Sequence, residues 1–403
     1  PIETMCGRLM SPSLKRVINA TGIVIHTNLG RAPIAPDVFE RARDVAARYT
    51  NLEYDLASGK RGSRHTHAES LLTRLTGAES AVVVNNCAAA LLTSLHAHAH
   101  GREVIVSRGE LVEIGGSFRL PDIMKASGAK LVEVGTTNRT RARDYREAIT
   151  DRTAAILKVH QSNFRMEGFT EEVAIDELSA ITREACLALL YDLGSGSFLR
   201  AGKGAEPTVA AEMKRGADVV MMSGDKLLGS VQAGIMLGTK PAIDTIKKSA
   251  LMRAVRPDKV TLSLLESTLL YYLEPARALA EIPVLGLIER PLRAIKEDAE
   301  AIRDALRERL PENAVAMEIV EGKSEAGGGA IGQPAMDTAL LALAFPDRSP
   351  DEIAAALRSR PVPVVARIYR DRLWIDPRTL FADDHDPLVT ALAEVIEGQG
   401  ENT

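Results

Sequence analysis

The chain has 403 residues, enough for about two or three domains with a deep hydrophobic core. Its 45% hydrophobic and 26% charged residues are typical of globular proteins and exclude a disordered, collagenous or coiled-coil chain. The 50 Lys and Arg residues against 54 Asp and Glu residues give a net charge of −4, so the chain has no overall attraction for nucleic acid or anionic membranes. Any nucleic acid is therefore expected to bind at a local site.

The cysteine content and the distribution of apolar residues predict a cytoplasmic protein. No apolar run reaches the roughly 18 residues of a membrane span, and the first residues lack the pattern of a signal peptide. Three cysteines without paired spacing favour a reducing compartment over a disulfide or zinc framework. His96, His98 and His100 alternate near a predicted helix end, and we favour a solvated helix end there over a metal site. We predict no bound metal and no membrane partner.

From residue 81 to residue 237, short β-branched runs alternate with amphipathic stretches. Apolar runs separated by helical segments are typical of βαβ units around a buried parallel sheet, so we predict an α/β fold with a mostly parallel sheet flanked by helices. The predicted strands are 81–84, 103–107, 130–134, 154–159, 187–192, 218–222 and 233–237. Ligands of such sheets bind at the carboxyl ends of the strands, and six runs end in polar or glycine-rich clusters. The pattern therefore predicts one large site at this edge.

The remainder of the chain predicts a smaller α+β domain at the C-terminus. The predicted elements are helices over about 257–274, 290–310, 350–357 and 387–396, and strands at 340–344, 364–368 and 373–375. The glycine-rich stretch 325–334 is predicted to be a loop. We predict three parts, namely an N-terminal segment (1–40), a large catalytic domain (41–280) and a small C-terminal domain (281–403).

Three elements together indicate a site for pyridoxal phosphate. Lys226 follows a predicted strand in the segment Ser223-Gly-Asp-Lys226, where a partly buried amine can form a Schiff base; alone, a surface lysine explains it better. Asp192 ends the preceding predicted strand, and the pyridine nitrogen of this cofactor needs a carboxylate. Asn86 and Cys87 open an alanine-rich helix whose first amides can bind a phosphate, although a capped helix start explains them equally well. The order of these elements resembles fold type I pyridoxal phosphate enzymes.

Five longer motifs carry a more specific resemblance. They are RVINATGIVIHTNLGRA (16–32), GKRGSRH (59–65), SRGELVEIGGSF (107–118), VGTTNR (134–139) and SGDKLLG (223–229). The chain resembles bacterial selenocysteine synthase, the L-seryl-tRNA(Sec) selenium transferase family. The resemblance implies a large catalytic domain that binds pyridoxal 5'-phosphate on Lys226, and a homodimer or a larger ring of dimers. It implies that seryl-tRNA(Sec) becomes selenocysteinyl-tRNA(Sec) through a dehydroalanyl intermediate, with selenophosphate as the selenium donor.

The expected catalytic residues follow from this chemistry. Lys226, once released from the cofactor, is placed to be the base at Cα, and Asp225 beside it is expected to relay a proton or to assist departure of the hydroxyl. The anion-binding arginines that the resemblance implies are Arg31, Arg253 and Arg256. The last two are three residues apart and would share one face of a helical turn, where a solvated basic face is the alternative.

Three further residues remain open on the sequence alone. His160, at the end of its predicted strand, either touches the cofactor or is merely hydrogen-bonded. Arg61 and Arg64 either reach a phosphate, in this subunit or a neighbouring one, or form a basic loop. The pattern of residues does not separate these alternatives.

Two departures from the family favour keeping an alternative function. The resemblance implies a further N-terminal domain that helps to hold the tRNA, and only 15 residues precede Arg16, so this is either a truncated chain or a shorter paralogue that acts on a small molecule. Ser230 and Val231 stand where the family usually has Gly-Pro. The alternative is a paralogous pyridoxal phosphate lyase or transferase for a small anionic amino acid or amino-sugar phosphate. A catalytically silent tRNA-binding protein is disfavoured by the set Asp192, Ser223 and Lys226.

Overall fold

The computed structural model describes residues 12–114, 118–161, 166–201, 207–327 and 335–398. Its strands, in chain order, are β1 (Ile18–Ala20), β2 (Ile23–Ile25), β3 (Tyr54–Asp55), β4 (Lys60–Arg61), β5 (Ser80–Val84), β6 (Glu103–Ser107), β7 (Glu113–Ile114), β8 (Phe118–Arg119), β9 (Lys130–Val134), β10 (Thr153–Val159), β11 (Ala188–Gly194), β12 (Val219–Ser223), β13 (Gly234–Gly238), β14 (Ala316–Gly327), β15 (Met336–Ala344), β16 (Val364–Tyr369) and β17 (Arg372–Ile375).

The helices, in chain order, are α1 (Pro36–Ala47), α2 (Thr66–Thr76), α3 (Cys87–Ala99), α4 (Leu120–Ser127), α5 (Ala142–Ala148), α6 (Ile175–Glu184), α7 (Val209–Lys214), α8 (Lys240–Lys247), α9 (Leu251–Ala254), α10 (Lys259–Tyr271), α11 (Pro275–Glu281), α12 (Pro283–Glu289), α13 (Leu292–Arg309), α14 (Pro350–Arg358) and α15 (His385–Ile396). Within the described ranges, no helix is long and apolar enough to cross a membrane. The chain divides into two compact units. The larger unit contains Ile25–Glu289. The smaller unit combines the residues up to Val24, Arg290–Ala326 and the residues from Ala335 onward.

The larger unit contains a seven-stranded sheet in the order β5-β13-β12-β11-β10-β6-β9. All seven predicted runs form these strands, with bounds shifted by two residues at most, which confirms the predicted sheet. β13 alone among these seven strands runs antiparallel to its neighbours β12 and β5. The reason is its short connection to β12, because a parallel return would need a crossover of a dozen or more residues. Buried apolar residues on one face of the sheet pack with α3 in a single core cluster.

The smaller unit contains a six-stranded sheet in the order β1-β16-β17-β15-β14-β2. The predicted strands at 340–344, 364–368 and 373–375 lie within β15, β16 and β17 and are confirmed. The predicted loop at 325–334 is wrong at its start, because residues 325–327 end the long strand β14; its residues 328–334 lie outside the described residues. β14 escaped the prediction because its alternating, half-exposed pattern contains charged residues throughout.

The N-terminal strand β1 pairs in parallel with β16, so the chain begins its described course in the smaller sheet. The division into 1–40, 41–280 and 281–403 stays a prediction about domains. The strand pairing adds that residues near Ile18 share a sheet with residues near Val364, which local sequence patterns do not reveal.

A buried ion pair stabilises the edge of the larger sheet where the strands end. Lys158 of β10 donates from Nζ to Glu110 Oε1 at 2.7 Å and to Glu172 Oε2 at 3.0 Å. The other oxygen of Glu110 accepts the backbone amide of Val159 at 2.8 Å. Because Lys158 and Glu110 are both buried, each charge depends on the other for compensation.

We predict that Lys158→Met lowers the free energy of unfolding by about 3 kcal/mol, because the buried carboxylate of Glu110 loses its cation. The matched control is Lys240→Met, which removes an exposed lysine from its pair with Asp244 and should leave the free energy of unfolding nearly unchanged. Urea denaturation followed by circular dichroism measures both. Equal losses in the two variants would contradict this account.

Candidate active site

Asp192 lies at the carboxyl end of the central strand β11. In the sheet register it stands between Val159 of β10 and Met221 of β12, which are both buried and apolar. The side chain of Asp192 is half-buried, and burial raises its pKa, against the opposing effects of Lys226, the Cys87 thiol and the Gly194 amide. A carboxylate in such surroundings is best compensated by a cation, which the pyridinium nitrogen of pyridoxal phosphate would supply.

The first turn of α3 meets Asp192 directly. The Cys87 thiol donates to Asp192 Oδ1 at 3.7 Å, and burial raises the pKa of this thiol, which keeps it a proton donor. Asn86 caps the helix, since its side-chain oxygen accepts the amide of Ala89 at 2.8 Å. A Cβ at Gly234 would lie 2.1 Å from the Asn86 carbonyl oxygen, so only glycine lets this turn cross β13. The predicted residues Asn86, Cys87 and Asp192 are therefore brought together.

The loop after β12 holds Lys226 in a buried position, with 8% of the residue exposed. The Ser223 hydroxyl donates to Asp225 Oδ1 at 2.6 Å, and the Ser230 amide donates to the Gly224 carbonyl at 2.9 Å. A Cβ at Gly224 would lie 2.6 Å from the Val231 carbonyl oxygen, so the loop closes tightly only around glycine. The loop thus supplies a buried amine next to the Asp225 carboxylate.

Arg31 joins this loop from a distant part of the chain. Its Nη1 donates to Asp225 Oδ2 at 2.9 Å, and the Ala32 amide donates to the Asp225 carbonyl at 3.2 Å. Arg31 has a φ of +64°, a left-handed conformation that costs roughly 1 kcal/mol in a residue other than glycine. Its amide is fixed by the His26 carbonyl at 3.0 Å. Strain at a residue of this kind is typical of functional sites.

His160 follows β10 and lies beside Asp192. Its backbone amide donates to the Asp192 carbonyl at 2.9 Å, and the charge of its imidazole acts to lower the pKa of the Asp192 carboxyl. The structure therefore places His160 at the same strand ends as Asp192 and Cys87. Contact with a cofactor remains a proposal.

The two arginines of the segment 251–256 are not on one helical face, and the prediction of a shared helical turn is wrong. α9 ends at Ala254, because the following Arg256 precedes a proline, which disfavours helical backbone. Arg253 is exposed in the last turn of α9. The carbonyl of Val255 accepts the amide of Asn85 at 3.0 Å, so Arg256 lies near the end of β5.

Several site residues escaped the sequence analysis. Arg256 Nη1 lies 3.7 Å from Glu53 Oε1, and Tyr272 donates its hydroxyl to the Leu228 carbonyl at 2.9 Å. The Ser230 hydroxyl lies 3.0 Å from that of Thr268. The departure from the family motif at Ser230 was the sequence signal for a local difference at this position. Glu53 and Tyr272 are far in sequence from their partners, so no sequence signal indicated their contacts.

The ends of β6, β9 and β10 line a cavity of about 200 Å³. Its lining includes Ser107, Thr137, Asn138 and Gln161. The single large site expected at this edge of the sheet stays a prediction. At the helix end where we expect solvated histidines, His96 is half-buried and His100 is exposed, and Nδ1 of each lies 3.0–3.1 Å from the Ser127 carbonyl oxygen.

The donor set fits pyridoxal phosphate. Lys226 supplies the amine, half-buried Asp192 supplies a carboxyl group whose pKa burial raises, and the N-terminus of α3 supplies amides for a phosphate. The parallel sheet presents all three at one edge. Fold and site together define a fold type I enzyme of the pyridoxal phosphate-dependent class.

The chain belongs to the L-seryl-tRNA selenium transferase family, whose profile matches residues 17–381. It is 51% identical over 392 residues to the L-seryl-tRNA(Sec) selenium transferase of Geobacter sulfurreducens, with 96% of this chain and 85% of that protein covered. The enzyme of the same name from Clostridium perfringens is 46% identical over 388 residues, covering 96% of this chain and 84% of that protein. The resemblance drawn from the motifs is thereby confirmed.

Solved structures agree on the fold. D-Glucosaminate-6-phosphate ammonia-lyase superposes with a TM-score of 0.68 at 22% identity, covering 100% of this chain and 99% of that chain. An SPT structure with PLP superposes with a TM-score of 0.50 at 12% identity, covering 95% of this chain and 88% of that chain. At these identities the likeness concerns the fold alone, and the predicted fold class is confirmed.

We predict that Asp192→Asn weakens the binding of pyridoxal phosphate by about 10-fold or more, because the charged hydrogen bond to the pyridine nitrogen is lost. The matched control is Asp218→Asn next to the opposite end of β12, where the carboxylate accepts the Leu189 amide at 2.7 Å. Fluorescence titration of the cofactor-free protein measures both affinities. An unchanged affinity in Asp192→Asn would contradict the assignment.

The raised pKa of Asp192 has a second consequence, for the stability of the cofactor-free protein. When the pKa of a carboxyl group is raised in the folded state, the folded protein becomes less stable as the pH rises toward that pKa, because the group must then ionise in the fold. At about pH 7, cofactor-free Asp192→Asn should therefore melt at a higher temperature than the wild type. The difference should narrow as the pH is lowered toward about 4.5, and differential scanning fluorimetry across this range measures it.

Proposed function

We propose that this chain converts seryl-tRNA(Sec) to selenocysteinyl-tRNA(Sec) with selenophosphate as the selenium donor. The observation that carries the proposal is 46 to 51% identity, over 94 to 98% of the chain, to proteins named L-seryl-tRNA(Sec) selenium transferase. The geometry around Asp192 and Lys226 supports the chemistry that this conversion needs. We also propose a cytoplasmic location, where charged tRNA is found, and a homodimer or a larger ring of dimers.

Replacing the hydroxyl of a seryl group by selenium requires loss of water before selenium is added. Pyridoxal phosphate, when bound, supplies an electron sink for the negative charge that develops at Cα. Lys226 Nζ is the base that we assign to the Cα proton, since it is the buried amine of the site. The Cβ–oxygen bond then breaks and the hydroxyl leaves with a proton as water. The selenium of selenophosphate forms a bond to Cβ, Cα takes back a proton, and water cleaves the selenium–phosphorus bond so that inorganic phosphate leaves.

For Asp225 we favour a role in orienting Arg31 over a proton relay. One carboxylate oxygen accepts from Ser223 and the other from Arg31, so both are engaged. A carboxylate held in this way keeps Arg31 at a fixed distance from the lysine loop. Arg31 is one of the cations that we assign to the phosphate group of selenophosphate, together with Arg253 and Arg256.

The alternative function, a lyase or transferase for a small anionic amino compound, is supported by fold likeness alone. The ammonia-lyase with a TM-score of 0.68 is 22% identical, whereas the named selenium transferases are at least 46% identical. The chain spans about 85% of the length of those relatives.

We predict that the protein loaded with cofactor forms selenocysteinyl-tRNA(Sec) from seryl-tRNA(Sec) and selenophosphate, and that Lys226→Ala lowers the rate by about 100-fold or more. Radiolabelled selenium recovered on the tRNA measures the product. The control is Lys240→Ala, an exposed lysine whose loss should leave the rate unchanged. Turnover of a free amino-sugar phosphate, with no reaction of seryl-tRNA(Sec), would replace the proposal by the alternative.

A further inference from the structure

Three arginine side chains surround the carboxylate of Glu53. We call these four residues, which come from three separate segments, the Glu53 cluster (Glu53, Arg61, Arg64 and Arg256). Glu53 Oε1 accepts from Arg64 Nε at 2.9 Å and from Arg64 Nη2 at 2.6 Å. Glu53 Oε2 accepts from Arg61 Nη2 at 3.1 Å, and Arg256 Nη1 lies 3.7 Å from Oε1. Three guanidinium groups share one carboxylate, so the cluster keeps an excess of positive charge.

Arg64 is the least exposed of these three arginines and makes three hydrogen bonds. Its hydrogen bonds hold the pKa of Glu53 below its usual range, so the carboxylate stays ionised at neutral pH. Its remaining nitrogen, Nη1, donates to the carbonyl of Pro257 at 2.6 Å. Only 11% of the Arg64 side chain is exposed. Arg64 therefore bridges Glu53 to the backbone directly after Arg256.

The backbone around Arg256 is thus fixed on both sides. Before it, the Val255 carbonyl accepts the amide of Asn85, which follows β5 at the start of the cofactor site. After it, the Pro257 carbonyl is held by Arg64. Proline also restricts the backbone of the residue that precedes it. Arg256 itself is exposed and 3.7 Å from Glu53, beyond hydrogen-bond distance, so its guanidinium is available to an anion.

We propose that Arg64, oriented by Glu53, is a positioning residue for Arg256 and thereby sets the affinity of the site for a phosphate-type anion. The inference rests on the proposed function in one respect, the assignment of Arg256 to the phosphate group of the selenium donor. An arginine is required at position 64 because only a planar fork can bond Glu53 and the Pro257 carbonyl at once. A lysine would keep the charge and lose one of these bonds.

Arg61 provides a matched comparison within the same cluster. It bonds the same carboxylate and carries the same charge, and its side chain is 78% exposed. The contact to Pro257 that the structure shows comes from Arg64. Removing Arg61 therefore tests the charge of the cluster, whereas replacing Arg64 by lysine tests its geometry.

The experiment measures two quantities in protein loaded with cofactor, the dissociation constant of inorganic phosphate by calorimetry and the kinetics with selenophosphate. In Arg64→Lys, the phosphate dissociation constant and the KM for selenophosphate should each rise about 10-fold, with kcat within about 2-fold. Glu53→Gln, which keeps an acceptor oxygen for Arg64, should give about a 3-fold rise, and Arg61→Ala a change within about 2-fold. The visible absorption of the bound cofactor should not change, which separates positioning from a general loss of structure.

Two results would overturn the proposal. One is wild-type phosphate affinity in Arg64→Lys, and the other is an equal loss in Arg61→Ala, which would mean that charge rather than placement matters. Arg256→Ala serves as the reference, and an unchanged phosphate affinity in it would also remove the proposal. Absence of selenium transfer by the wild-type protein would instead refute the proposed function, and the phosphate measurements on Arg64→Lys distinguish that outcome.

Discussion

The carboxylate of Asp192 lies between Val159 and Met221 of the adjacent strands, and placing a charge there costs free energy that a nearby cation must offset. The raised pKa of this carboxyl is the sign of that cost. The Cys87 thiol and the Gly194 amide contribute hydrogen bonds but no charge. The electrostatics of the site therefore favour the binding of a protonated, positively charged heterocycle. Much of the surrounding architecture can be understood as bringing groups to this carboxylate.

The antiparallel strand β13 is what brings two of those groups together. β13 pairs with β12, which precedes the Lys226 loop, and with β5, which precedes the N-terminus of α3. A sheet with only parallel crossovers at this edge would place a helical connection between β12 and the following strand. The short return instead keeps the lysine loop beside Asn86. The requirement for glycine at Gly234, under the Asn86 carbonyl, follows from this close approach.

Local patterns predicted the parts of this arrangement that depend on near neighbours in sequence. Buried strands are continuous apolar runs, and Asp192 and Lys226 each follow one, so their common edge follows from the βαβ pattern alone. The direction of β13 depended on the short connection from β12, which the apolar pattern does not report, and the end of α9 before Arg256 depended on the proline that follows Arg256. The bridge from Arg64 to Pro257 joins residues 193 positions apart. Neither residue type nor spacing at such a separation indicates a contact, and Glu53 was missed for the same reason.

The net charge of −4 hides how the basic residues of the site are arranged. Arg31 is held by Asp225, and Arg64 by Glu53, so carboxylates keep these arginines in place instead of leaving them as a mobile basic surface. Around Glu53 three guanidinium groups share one carboxylate and leave an excess of positive charge, whereas Arg31 and Asp225 form a one-to-one pair. Fixed, closely spaced cations favour a compact anion, because its charge can be met at short distance from several sides. An extended polyanion would gain more from a broad basic surface. The same chain can therefore be slightly acidic overall and still concentrate positive charge locally, at the Glu53 cluster.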